Sequence, residues 1–265
     1  MDPSGLVCRL RGSDGILAFF GAPEPMEDHA AFAVACALKM QAAMEEVNEG
    51  NKAEGLPRLE MGVAVNTGEV IVGNIGSEKR SKYGAVGSQV NFTGRAESFT
   101  VGGQVLVTKA TYEALSDILR VRKVLKVEMK GMSGTVELYD ITGIGEPYNV
   151  YLPENEETLV AVREMINVEV YRIGEKVVTE SGTKARITYI SSASAIIVLH
   201  EKLSQWENVR LQLLNNQLAP VPGKVYAKVV SVVRIDDNHE AEVHFTSVSP
   251  EAEKVFRQRL GKKWV

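Results

Sequence analysis

Apolar and polar positions change texture near the middle of this chain. Up to about Gly145, short apolar runs alternate with longer stretches whose apolar residues recur at helical spacing, an α/β or α+β pattern. Residues 16–20 (ILAFF) predict a short strand, closed by Gly21-Ala22-Pro23. From Glu27 to about Val47, the residues Ala30, Phe32, Ala33, Ala37, Leu38, Met40 and Met44 supply one apolar helical face, and Asn48 and Gly50 read as its stop. Residues 59–65 predict a buried strand. Thr67-Gly68-Glu69 then turns the chain into the apolar run 70–76, with a polar loop at 77–82. The spacing further predicts a helix from Val90 to about Thr100, a strand over 104–108 and a helix over 111–119. Strands over 123–130 and 135–141 should form a hairpin around 131–134.

Residues 145–155, with two prolines and a glycine, have linker chemistry, and β texture dominates beyond them. Strands are predicted over 168–178, 184–189, 195–199, 209–214, 224–234 and 241–248. Within 224–234, Val225, Ala227, Val229 and Val233 alternate onto one face. Pro250 sits at a tolerated first-turn position and opens a helix through Leu260. Short strands followed by a helix predict a small β-barrel with a C-terminal helix.

Composition narrows the function classes. The 265 residues are 45% apolar and 24% charged, which is ordinary for globular chains and leaves room for two modest domains. A net charge of −4 argues against a general nucleic-acid partner, which needs a basic face to displace counterions. The longest apolar runs fall far short of the ~20 residues that span a bilayer, and no signal peptide is visible, so a cytoplasmic location is expected. Two cysteines, Cys8 and Cys36, are too few for a disulfide framework or a structural zinc site.

Three clusters could carry chemistry. In Gly12-Ser13-Asp14-Gly15 an acidic side chain on a tight turn could hold a hard cation, although Asp-Gly is also a common turn dipeptide. In the segment 86–95 (VGSQVNFTGR), Asn91 and Arg95 are one helical turn apart and share a face near a helix start, where backbone N–H groups favour anions. A guanidinium there could grip a phosphoryl group with two donors. The bland alternative is a surface Asn beside an Arg paired with Glu97 or Glu113. Lys130, beside Gly131 at a hairpin rim, reads by default as solvated, as do Lys79, Arg80 and Lys82. No phosphate-binding P-loop or complete dinucleotide fingerprint occurs, and His29, His200, His239 and His244 lack metal-ligand spacing.

In order and spacing, the segments 12–21 (GSDGILAFFG), 62–76 (GVAVNTGEVIVGNIG), 83–98 (YGAVGSQVNFTGRAES) and 128–139 (EMKGMSGTVELY) resemble the class III adenylate/guanylate cyclase catalytic domain. The resemblance covers about residues 5–145. It implies a ferredoxin-like α+β fold that works as a head-to-tail homodimer and cyclises a nucleoside triphosphate to a 3′,5′-cyclic monophosphate and pyrophosphate. By the same resemblance Asp14 is a metal ligand, Asn91 and Arg95 are the catalytic pair on ribose and transition state, and Lys130 contacts the outgoing polyphosphate. Two Mg²⁺ or Mn²⁺ ions, about 3.5–4 Å apart in such sites, are implied as cofactors.

The segment departs from the family pattern in three places. The strand bearing the family's other metal aspartate, and the helix after it, would precede Gly5, so the resemblance implies a catalytic domain over 1–147 lacking its first strand and helix. One carboxylate does not make a two-ion site, which leaves the activity of the chain as given open. Leu10 stands where a base-contacting lysine is usual, and Gly84 stands where Asp, Thr or Ser usually reads the purine edge. ATP versus GTP is thus undecided, with ATP to cyclic AMP as the default. The alternative is a catalytically inactive nucleotide-binding or regulatory module. After a linker at 148–164, residues 165–265 resemble a PilZ-type barrel, but of its ligand residues only Arg172 and Ser191 match, with Lys176 and Ser194 as departures. Binding of cyclic di-GMP is therefore not expected. The resemblance leaves room for an upstream sensor region and a role in intracellular signal transduction.

Overall fold

The computed structural model describes residues 6–11, 15–56, 58–77, 80–153, 158–174, 179 and 181–260. The chain divides into two compact units. One comprises Met1–Ala43, Gly62–Thr100 and Gln104–Pro153, the other Met44–Met61, Val101–Gly103 and Glu154–Val265.

The first unit is α+β. Strands β1 (Leu6–Arg11) and β2 (Gly15–Phe20) pair antiparallel, with Arg11 opposite Gly15. Helix α1 (His29–Ala53), whose residues through Ala43 belong to this unit, runs past the stop expected at Asn48 and Gly50. The Asn48 side chain explains the overrun. Its amide donates to the Leu59 carbonyl at 2.9 Å and its oxygen accepts from the Leu59 N–H at 2.8 Å, so it does not compete for its own helix backbone. β3 is shorter than expected (Val63–Val65), and the expected loop at 77–82 is largely strand. β4 (Ile71–Ser77) and β5 (Arg80–Val86) form a hairpin with Ile71 opposite Val86. Helix α2 (Ser88–Glu97), β6 (Val105–Thr108), helix α3 (Lys109–Leu115), β7 (Leu119–Glu128) and β8 (Thr135–Ile144) follow, and β9 (Val150–Tyr151) pairs with β8 inside the stretch read as linker.

The main sheet runs β3-β6-β8-β7, with β3 and β6 parallel and the other pairs antiparallel. Its core is made by Val34, Ala35 and Leu38 of α1 against Val65, Val105, Val107, Ile141 and Ile144. The 3–4 residue spacing on α1 lays one apolar stripe along the sheet, where burying each large aliphatic side chain contributes about 1.5–3 kcal/mol.

The second unit is a closed antiparallel barrel in the order β10-β11-β12-β15-β14-β13. Its strands are β10 (Val160–Ile173), β11 (Thr183–Ile190), β12 (Ser194–Leu199), β13 (Asn208–Leu214), β14 (Pro220–Ile235) and β15 (Asn238–Val248). Closure removes sheet edges that would otherwise be open to pairing. Val225, Ala227 and Val229 point into the barrel as the alternation predicts, but Val233 is 57% exposed. A register shift between Val229 and Ser231 inserts a bulge that flips the inward phase, a break that the apolar pattern alone does not reveal. Helix α4 (Pro250–Leu260) packs on the barrel through Ala252 and Phe256, and the Phe256 ring stacks on Phe245 at 6.0 Å. Because Phe256 is fully buried, Phe256→Ala should cost about 3–5 kcal/mol, read as a lowered urea midpoint; a loss below about 1 kcal/mol would mean that α4 is not part of the barrel core.

Candidate functional site

Helix α2 and the β7–β8 hairpin bring together two of the cationic residues singled out in the sequence. Asn91 and Arg95 lie on α2, both exposed, and Lys130 lies exposed in the turn after β7. Arg95 reaches that turn. A Cβ added to Gly131 would lie 3.6 Å from Nη1 and 3.7 Å from Nη2 of Arg95, so the guanidinium packs beside the backbone next to Lys130. Gly131 itself has φ +78, a left-handed conformation that side-chain-bearing residues adopt at a cost of about 1–2 kcal/mol.

The expected bland pairing of Arg95 with Glu97 or Glu113 does not occur. Glu113 instead faces Lys109 at 3.7 Å, and among the described residues no carboxylate lies within ion-pair distance of Arg95 or Lys130. Lys130 borders a cleft of about 500 Å³ together with Glu128, Met129, Met132 and Gly134, and Arg95 stands beside the same turn at Gly131. Met129 is buried beneath the turn and anchors it, while Lys130 projects outward. A second cleft of about 460 Å³, lined in part by Phe92, Lys109, Lys126 and Glu137, shares Met132 with the first. Next to it, burial and the negative charge of Glu137, which accepts the Tyr139 hydroxyl at 3.2 Å, raise the Tyr139 pKa above the ordinary tyrosine value.

Gly84 is buried on β5, opposite Gly73 of β4, and contributes only backbone. Asp14 lies outside the described residues, so its place relative to Arg95 and Lys130 is not part of this geometry. Among the described residues, no group of three or more His, Cys, Asp or Glu side chains could hold a metal ion. The buried Asp140 is committed elsewhere. Its Oδ2 accepts from Arg122 Nε and Nη2 at 3.1 and 2.9 Å and from Gln104 Nε2 at 3.0 Å. The described residues thus do not make up the two-ion site that the cyclase resemblance implies.

Sequence reasoning passed over a polar cluster beneath α2. Thr108 Oγ1 donates to Asn66 Oδ1 at 2.7 Å, and Asn66 Nδ2 donates to Gln89 Oε1 at 3.0 Å and to the Gln89 carbonyl at 3.3 Å. Thr111 Oγ1 lies 3.0 Å from Thr67 Oγ1 and 3.4 Å from Thr108 Oγ1. The available signal was a set of amides and hydroxyls at strand ends, where the apolar pattern stops.

In the barrel, the two residues that matched the PilZ ligand pattern are engaged internally. Arg172 Nη1 donates to both Glu207 carboxylate oxygens at 3.0 and 2.9 Å, and Nη2 donates to the Lys202 carbonyl at 2.8 Å. Ser191 Oγ accepts from the Ser194 N–H at 2.9 Å and lies 2.9 Å from Ser194 Oγ, closing a local turn. Lys176 lies outside the described residues. No helix among those described is long and apolar enough to cross a membrane.

The adenylate and guanylate cyclase catalytic domain family matches residues 13–143. The crystal structure of the guanylyl cyclase Cya2 is 49% identical, with a TM-score of 0.54, covering 56% of this chain and 75% of that one. Adenylate cyclase 1 of Rhizobium meliloti is 29% identical over 147 residues, 55% of this chain and 22% of that protein. The terminal-differentiation-specific adenylate cyclase of Dictyostelium discoideum is 31% identical over 145 residues, 53% of this chain and 7% of that protein. The chain therefore spans about a fifth or less of the length of these two curated relatives.

The Arg122–Asp140 pair gives a test of the site's scaffold. Arg122→Ala would leave a fully buried carboxylate with the Gln104 amide as its donor, at an expected cost of about 3 kcal/mol in urea unfolding, the low end for such losses because Arg122 is half exposed. Unchanged stability would show that Asp140 does not depend on Arg122 for its charge balance.

Proposed function

The chain belongs to the adenylate and guanylate cyclase family, and from that premise we propose that its first unit cyclises a purine nucleoside triphosphate as a homodimer. The observation that carries this reading is Arg95 held against Gly131, beside Lys130 and free of carboxylates among the described residues. In the proposed step the ribose 3′-oxygen attacks the α-phosphorus, the bond to the bridging oxygen breaks, and pyrophosphate leaves. Negative charge grows on the equatorial oxygens and on the leaving group. Arg95 stabilises the former with a preorganised pair of donors, and Lys130 receives the latter. Asn91, one turn from Arg95 on α2, orients the ribose.

Guanine is the proposed base, in place of the default ATP. Identity to the guanylyl cyclase structure, 49%, far exceeds the 29% to the Rhizobium meliloti adenylate cyclase. Gly84 offers no side chain to read an adenine edge, which is compatible with either purine and specific for neither. A second copy has a surface to bind: Val70, Ile71 and Val86 around the β4–β5 hairpin are 38%, 74% and 42% exposed, and Ile16 on β2 is 56% exposed. Covering such apolar area is the ordinary driving force of a homodimer.

The barrel is proposed to be a non-enzymatic docking module in a signalling protein. With Arg172 tied to Glu207 and Ser191 tied to Ser194, the pair that would contact cyclic di-GMP is already occupied by the barrel itself.

Cyclisation of GTP and of ATP in Mn²⁺ tests this function, run on this chain and on a form carrying additional upstream sequence. GTP should be turned over faster than ATP, and Arg95→Ala should cut turnover on the order of 10²–10³-fold with the fold retained. Near-normal turnover in Arg95→Ala would remove the mechanistic assignment. Nucleotide binding without turnover in either form would favour the inactive regulatory module.

A further inference from the structure

We infer that Asn66 is a positioning residue that sets the rotation of α2 on the sheet, and through it the aim of Arg95; this rests on the cyclase reading above. Helix α2 has little else to fix it. Its N-cap is Gly87, no side chain caps its first turn, and Ala96 is its one buried residue. A ten-residue helix with so small an apolar footprint can roll about its axis at little cost in buried area.

The Asn66 amide removes that freedom. It holds Gln89, the second residue of α2, through both side chain and carbonyl, and is itself held from behind by the hydroxyl of Thr108 at 2.7 Å. Thr108 ends β6 and is 1% exposed; Thr111, behind it, is fully buried. The anchor thus stands on the ends of the two parallel strands, β3 and β6, and not on a mobile surface. Gly68 lets the two chains approach: a Cβ there would lie 2.8 Å from Gln89 Cγ. Thr93, one turn on, returns its hydroxyl to the Gln89 carbonyl at 2.8 Å and ties the next turn to the same point.

Helical geometry carries the constraint to the site. At about 100° per residue, Asn91 and Arg95 lie roughly 200° and 240° around the helix from Gln89. Clamping Gln89 to the sheet therefore turns Asn91 and Arg95 away from it, Arg95 toward Gly131. Releasing the clamp would let the guanidinium drift from the transferring phosphoryl group, and misplacement of about 1 Å can cost on the order of 10²-fold in rate.

The test is steady-state GTP cyclisation by the full chain in Mn²⁺, with amide hydrogen exchange across residues 88–97 measured on the same samples. Asn66→Ala should lower kcat at least ~10-fold with KM within ~3-fold, because the lost alignment matters at the transition state. Asn66→Asp keeps the acceptor for Thr108 and lets a flipped Gln89 amide donate but loses the bond to the Gln89 carbonyl, so it should recover only part of kcat. The double variant Asn66→Ala/Arg95→Ala should be no slower than Arg95→Ala alone, since Asn66 acts through that residue. Gln89→Ala removes the side-chain half of the clamp and leaves the bond to its carbonyl, so it should lower kcat in the same direction by less, and it serves if Asn66→Ala fails to fold. Unchanged kcat in both single variants, or additive losses in the double, would overturn the proposal. If neither the unmutated chain nor its upstream-extended form turns over GTP, the cyclase reading fails separately. Exchange then decides: faster exchange in Asn66→Ala than in Asn66→Asp supports the clamp, and equal exchange in all three rejects it.

Discussion

A guanidinium stabilises a phosphoryl group only when no carboxylate has already claimed it and when its position does not fluctuate. At Arg95 no acid lies within ion-pair reach among the described residues, and the guanidinium packs beside the backbone at Gly131. Arg122 and Arg172, by contrast, are neutralised by Asp140 and Glu207. The contrast separates these two structural arginines from Arg95, which has no carboxylate at ion-pair distance among the described residues and packs beside Gly131.

The same distinction shapes the barrel. Its interior is filled by Ile197, Leu211, Val229 and Val243, and α4 packs over it through Phe256, so the interior holds side chains and not a ligand. The residues that matched a nucleotide-binding pattern are spent on internal ion pairs and a serine turn. A module so arranged contributes surface, which is what docking requires.

Much of the fold was legible because apolar periodicity is a direct record of burial. The α1 stripe, the β7–β8 hairpin and the helix opened by Pro250 all follow from it. The failures have physical causes. Asn48 and Gly50 read as a stop because Asn usually bonds its own backbone, whereas here Asn48 bonds Leu59. Val233 left the inward face because a bulge shifted the phase by one residue. At the site, Arg95 was singled out by its helical spacing from Asn91, and Lys130 only by the cyclase resemblance, its spacing reading as a solvated rim residue; the structure brings Arg95 to the turn that carries Lys130. Asn66 was not legible. Its significance depends on a contact with Gln89, distant in sequence, and hydrogen-bond partners leave no periodicity.

The central claim is that Arg95 and Lys130 together receive a polyphosphate. Calorimetric titration of α,β-methylene GTP, which cannot cyclise, measures that reception without requiring turnover. The account expects binding to the unmutated chain, a loss of about 10-fold or more in affinity for Lys130→Ala, and a further loss when Arg95→Ala is added, each reflecting a charge-assisted contact of about 1.5–3 kcal/mol. Affinity that is indifferent to both substitutions would contradict it.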